Sequence, residues 1–90
     1  MRFFVKVKVD LSKMLEFAQK LKENELDRSL IRSETNCFAN DPSVGFSIWE
    51  AENLDNFNCV FNTWKYYYTE VEVSEIVSAN DAMLLLKQKK

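Results

Sequence analysis

The stretch Asn53–Val77, NLDNFNCVFNTWKYYYTEVEVSEIV, decides how the rest of the chain is read. Asn53 is an N-cap, because its side-chain oxygen can accept from a free backbone N–H two or three residues on. Asp55 falls in the first turn, where a negative charge suits the helix dipole. Phe57, Val60, Phe61 and Trp64 then recur at helical spacing and define one apolar face, while Asn56, Asn58 and Asn62 take the other. Asparagine is a mediocre helix former, so this helix depends on packing. After an aromatic turn, Thr69, Val71 and Val73 alternate with Glu70, Glu72 and Ser74. Period two with one apolar face marks a half-buried strand.

The front half reads as a second unit of similar shape. Residues 2–9, RFFVKVKV, alternate cleanly: Phe3, Val5, Val7 and Val9 share one face, and Arg2, Phe4, Lys6 and Lys8 the other. Asp10 caps a helix over about Leu11 to Asn24, with Leu11, Met14, Leu15, Ala18 and Leu21 as its buried stripe and Phe17 at the edge. Asn24 can close that helix. A strand falls within Leu30–Ala39, its two alternating sets both mixed, as in an edge or bulged strand. Asn40-Asp41-Pro42-Ser43 is a turn. Val44, Phe46 and Ile48 then alternate with Gly45, Ser47 and Trp49 in a third strand reaching about Ala51, where Gly45 predicts a bulge or a close backbone approach. Ser78 caps a last helix from Ala79 to about Gln88, and the Lys87–Lys90 end reads as frayed.

Ninety residues make one small domain, here residues 1–90 with a helical tail from residue 79. A hydrophobic content of 47% with one glycine and one proline argues for an ordered globular chain. A net charge of −2 gives no pull towards nucleic acid or anionic membrane. No stretch approaches the ~20 apolar residues of a membrane span, and the N-terminal alternation does not read as a signal peptide. The chain has no histidine, the commonest acid–base group and metal ligand. Cys37 and Cys59 belong to no paired motif; they read as buried or partly buried free thiols in a reducing cytoplasm. Neither a metal site nor a bound cofactor is expected, and one glycine makes no phosphate loop.

The element order is β-α-β-β-α-β, the α+β ferredoxin-like βαββαβ plan. Right-handed crossovers then give an antiparallel four-stranded sheet of order 4-1-3-2, with two helices on one face and a short C-terminal helix. The sheet's other face would carry Phe4, Lys6, Lys8, Glu70 and Glu72, joined by Trp49. Phe4, Trp49 and Ile76 are the candidate anchors of a homodimer through that face, since an open sheet would leave them in water.

On Gly45-Phe46-Ser47-Ile48-Trp49-Glu50-Ala51, Phe61, Trp64, Val71-Glu72-Val73 and Ser78-Ala79, the chain resembles the dimeric α+β barrel superfamily. Within it, the likeness is greatest to small uncharacterised families. The resemblance implies two ferredoxin-like sheets packed face to face. The superfamily also holds muconolactone isomerases, cofactor-free monooxygenases of polyketides, and haem-degrading or haem-peroxidising enzymes. Their histidines have no counterpart in this chain.

The candidate ligand-pocket residues are Lys6, Arg32, Trp49, Glu50, Trp64, Tyr66 and Tyr68. Trp64 and the tyrosine run can line a pocket with phenol donors and ring faces, or cover the core at a helix-to-strand corner with their hydroxyls in water. Glu50 can be a base if buried, or a solvated strand end. Lys6 and Arg32 can hold an anionic ligand, or pair with Glu70, Glu72 or Glu34. No residue is singled out as catalytic. Three functions follow: a homodimeric small-ligand-binding or structural module; a cofactor-free enzyme, of isomerase or monooxygenase type, acting on a small hydrophobic or aromatic compound; and, less favoured, RNA binding through Phe4 and Trp49, for which the basic surround is missing at a pI of 5.1.

Overall fold

A computed structural model describes residues 1–88; the fraying expected at Lys89 and Lys90 lies outside the described residues, and Lys87 is helical. The chain forms β1 (Arg2–Val9), a 3-10 turn (Leu11–Lys13), α1 (Met14–Lys22), β2 (Asn36–Phe38), β3 (Asp41–Glu50), α2 (Leu54–Lys65), β4 (Tyr68–Ile76) and α3 (Ala79–Gln88). The sheet runs β2-β3-β1-β4 with every neighbour antiparallel. This is the ferredoxin-like βαββαβ plan in the expected 4-1-3-2 order, with a C-terminal helix added.

Local chemistry sets the element ends. Asp10 Oδ1 accepts from the Ser12 backbone N–H at 3.0 Å and opens the first helical segment. Asn53 does the same for α2, taking the Asn56 N–H at 2.7 Å. α1 ends on Asn24 at φ 56°. The Asn24 N–H donates to Leu21 O and the Glu25 N–H to Lys20 O, the paired bonds of a Schellman closure.

The core lies between the sheet's inner face and α2. Phe57, Phe61 and Trp64 descend from the helix as the spacing predicts, onto Phe3 and Val5 of β1. Trp49 of β3 joins them at 2% exposure, edge-on to Phe57, Phe61 and Trp64. This corrects its expected place on the outer face. Phe3 stands opposite Trp49 in the β1–β3 register, so Gly45, Ser47 and Trp49 face inward and Val44, Phe46 and Ile48 outward. Both sets of β3 contain large apolar residues, so alternation alone does not fix the phase. The indole fills the space among Phe57, Phe61 and Trp64, and Ser47 beside it accepts the indole N–H at 2.9 Å.

Three further expectations change. The side of α1 that packs on the core is Phe17 and Leu21, both partly buried, while Leu11 and Leu15 are exposed at 69% and 88%. The 3-10 turn takes Leu11 out of the α-helical register, and within α1 itself the core meets the side centred on Phe17 and Leu21 rather than on Leu15 and Ala18. Val71 and Val73 share the inner side with Val7 and Val5, yet keep 40% and 38% of their surface exposed because β4 is an edge strand. Both cysteines are free but exposed rather than buried.

The second strand is interrupted. Ile31 bridges Trp49, whereas Asn36 and Cys37 pair with Phe46 and Gly45 in a shifted register. Between them the Ser33 hydroxyl takes the Ile48 N–H at 2.8 Å, standing in for a ladder bond. The mixed phase of this stretch has its cause in that bulged edge. Gly45 lies where the edge comes closest: a Cβ there would meet Asn36 O at 3.1 Å and Cys37 Sγ at 3.2 Å.

Candidate functional site

Beside this interrupted edge, on the helix side of the sheet, lies a cavity of about 580 Å³. Its floor is the inner face of β1 and β3, at Val5, Val7 and Ser47. Phe17 and Leu21 of α1 form one wall, and Trp49 and Trp64 another. The connection from α1 to β2 covers it with Arg28, Ile31 and Ser33. Tyr68, at the head of β4, closes the end near Val9.

The lining is predominantly apolar and its few polar groups are disposed in a definite way. Both indole N–H groups are committed inside the protein, that of Trp49 to Ser47 Oγ and that of Trp64 to Asp27 O at 3.1 Å. The rings therefore offer faces and edges, not donors. Tyr68 packs edge-on against Phe17 at 5.8 Å. Burial pushes its phenol well above the ordinary tyrosine range, because the charged form would be poorly solvated there. It stays a neutral hydroxyl donor across the usual pH range. Arg28 donates from Nη2 to Leu21 O at 2.8 Å and lies exposed at the cavity's rim.

Of the seven pocket residues named from the sequence, the structure brings Trp49, Trp64 and Tyr68 together. The other four sit elsewhere. Lys6 is on the outer face, 5.4 Å from the Phe38 ring centroid, in a smaller cleft with Lys8, Glu70 and Glu72. Its β4 partner in register is Glu72. Glu50 is ion-paired to Arg2 at 3.3 Å and to Arg32 at 3.8 Å, a solvated strand end rather than a buried base. Tyr66 points to solvent with Lys13 over its ring at 3.8 Å. The tyrosine run thus divides: Tyr67 covers the core, Tyr68 lines the cavity and Tyr66 is outside.

Sequence reasoning missed Arg28, Ser33 and Ser47. Arg28 and Ser33 lie in or beside a connection with no period to read. Ser47 did carry a signal, as a small polar residue two positions from a tryptophan on one strand face.

The outer face gains from the reversal of β3. Phe4 stacks on Phe46 at 5.8 Å, and Phe46 meets Phe38 at 5.6 Å. Val44 and Ile48 extend this patch, and the acidic β4 row borders it. Phe4 and Ile76 keep the outward positions expected of them, half-buried, and Phe46 stands where Trp49 was expected.

No protein-family model matches the chain, and no curated protein matches it. Solved structures do resemble it. A 5-chloro-2-hydroxyhydroquinone dehydrochlorinase from Burkholderia phenoliruptrix, in complex with 2,5-dihydroxybenzoquinone, matches with a TM-score of 0.57 at 18% identity, covering 90% of this chain and 98% of its own. An antibiotic biosynthesis monooxygenase matches at 0.49 and 11%, covering 86% and 98%. The likeness to the dehydrochlorinase is one of fold, the ferredoxin-like βαββαβ plan. Among the described residues no three His, Cys, Asp or Glu side chains gather as a metal-binding group, and no helix is long and apolar enough to cross a membrane.

Proposed function

We propose that this protein binds a small, flat, largely apolar molecule in the cavity between sheet and helices, and that it does so as a homodimer joined through the outer sheet face. The cavity carries the first part. At about 580 Å³ it falls in the range of small-molecule sites, and its apolar walls converge on a few polar groups. The Phe4–Phe46–Phe38 cluster supports the second. Three aromatic rings on an open sheet face are anchors of the kind that interfaces bury, and a two-fold axis would cover both copies at once. A cytoplasmic, reducing setting fits the two unpaired thiols.

A second reading is a cofactor-free enzyme acting on a small hydrophobic or aromatic compound. It is favoured by Tyr68, a proton-bearing hydroxyl beside the rings of the cavity, and by the dihydroxybenzoquinone held by the dehydrochlorinase of like fold. RNA binding stays the least favoured: Phe4 and Phe46 could receive bases, but Glu70 and Glu72 share their face.

Titration with 2,5-dihydroxybenzoquinone and a panel of flat aromatics, followed by melting temperature and calorimetry, tests the binding reading. Saturable binding is expected, and lost in Val7→Trp, which fills the cavity floor. No binding by any flat compound would sink it. For assembly, light scattering should give about twice the chain's 10.6 kDa at micromolar concentration, and Phe46→Glu should give the single mass. Turnover of a bound compound, lost in Tyr68→Phe while binding remains, would select the enzyme.

A further inference from the structure

We infer that the cavity selects flat aromatic anions, with Arg28 receiving the negatively charged oxygen; this rests on the reading of the cavity as a ligand site. The charges of its wall carry the inference. Among the described residues that line it there is one ionised side chain, Arg28, and no aspartate, glutamate or lysine. A cation at the rim of an apolar space whose lining holds no counter-charge favours a ligand that supplies one.

Other cations of the described surface are engaged differently. Arg2 and Arg32 share Glu50, Lys20 holds Glu25, and Lys13 donates to Tyr66 O at 2.9 Å. Arg28 makes no ion pair among the described residues. Its one hydrogen bond to Leu21 O fixes the guanidinium and leaves most of its five N–H donors unused.

The neutral groups point the same way. Ser33 Oγ already accepts from Ile48 N and Ser47 Oγ from the Trp49 indole, so each has its own hydroxyl hydrogen to give. Tyr68 adds a third hydroxyl that keeps its proton. The wall therefore offers hydroxyl donors beside a cation, a combination suited to a ligand that supplies acceptors. Phe17, Trp49 and Trp64 supply ring surfaces to stack on, which calls for a flat framework. Because Arg28 also faces water, the charge preference is moderate, about tenfold rather than a thousandfold.

Isothermal titration with naphthoate and with its neutral counterpart naphthamide separates charge from shape. The expected result is naphthoate binding about tenfold tighter than naphthamide, with the gap narrowing as salt is raised. Arg28→Met should bring the two to equal affinity. Arg28→Lys, which keeps the charge but not the fork, should retain part of the preference and guards against a folding defect in the methionine variant. Equal binding of both compounds to the wild type, or a preference that survives Arg28→Met, would overturn the inference and leave the cavity a neutral ligand site. Binding of neither would overturn the reading of the cavity itself.

Discussion

Trp49 and Phe46 stand three positions apart on β3 and on opposite faces of the sheet, and truncating each should have different consequences. Trp49 is 2% exposed and touches three aromatic rings of α2 edge-on at 5.3–5.7 Å. Burying an aromatic side chain removes about 150–250 Å² from water, which at ~25 cal/mol per Å² is worth roughly 4–6 kcal/mol. Trp49→Ala also removes the indole partner of the buried Ser47 hydroxyl, for about 1 kcal/mol more. A domain of this size has a total margin of about 5–15 kcal/mol, so the variant should be close to unfolding. Phe46→Ala removes a half-buried ring from the outer face and should cost the isolated protomer no more than about 1–2 kcal/mol. In the proposed homodimer its larger effect should be on assembly, seen as a melting temperature that no longer rises with protein concentration. Urea titrations followed by circular dichroism at several protein concentrations read both terms. Equal losses for the two variants at the lowest concentration would refute the assignment of faces on β3.

Gly45→Ala places a Cβ 3.1 Å from a backbone oxygen of the edge strand and should cost about 1–2 kcal/mol despite the better strand propensity of alanine, measurable in the same titrations. Asn24→Val should lower stability by about 1–2 kcal/mol, because a β-branched side chain resists the left-handed backbone there, whereas Asn24→Gly should be neutral or stabilising. The Tyr68 phenol is raised in the folded chain, so above the ordinary tyrosine value the unfolded chain releases this proton first and stability falls as pH rises. Tyr68→Phe should therefore flatten the alkaline limb of a melting-temperature profile, and an unchanged limb would count against the buried phenol. At the acid end, Asp41 is held below its usual value first by the Ser43 hydroxyl, and Asp27 first by the Ser29 side chain. What they contribute is present above the ordinary carboxylate range and lost as pH falls through it, so Asp41→Asn should weaken the dependence of melting temperature on pH below about 4.

The sequence by itself determined the elements and their order. Phe57, Val60, Phe61 and Trp64 recur with a helical period, residues 2–9 alternate, and the caps at Asp10 and Asn53 mark where the helices begin, all of them local signals. The chirality of crossovers then leaves one strand order for a β-α-β-β-α-β chain, and the sheet has it. Tertiary packing decided what local signals left balanced. β3 carries large apolar residues on both of its faces, and only the space above Phe3, filled by an indole whose N–H finds Ser47, turned Trp49 inward and Phe46 outward. Which side of α1 meets the core, that of Phe17 and Leu21, was likewise settled by packing, because its apolar residues spread over more than one side of the helix. Trp49 and Tyr68 lie far in the chain from Arg28 and Ser33, and the four share one cavity because the connection from α1 folds back against β3 through non-local contacts that no periodicity encodes.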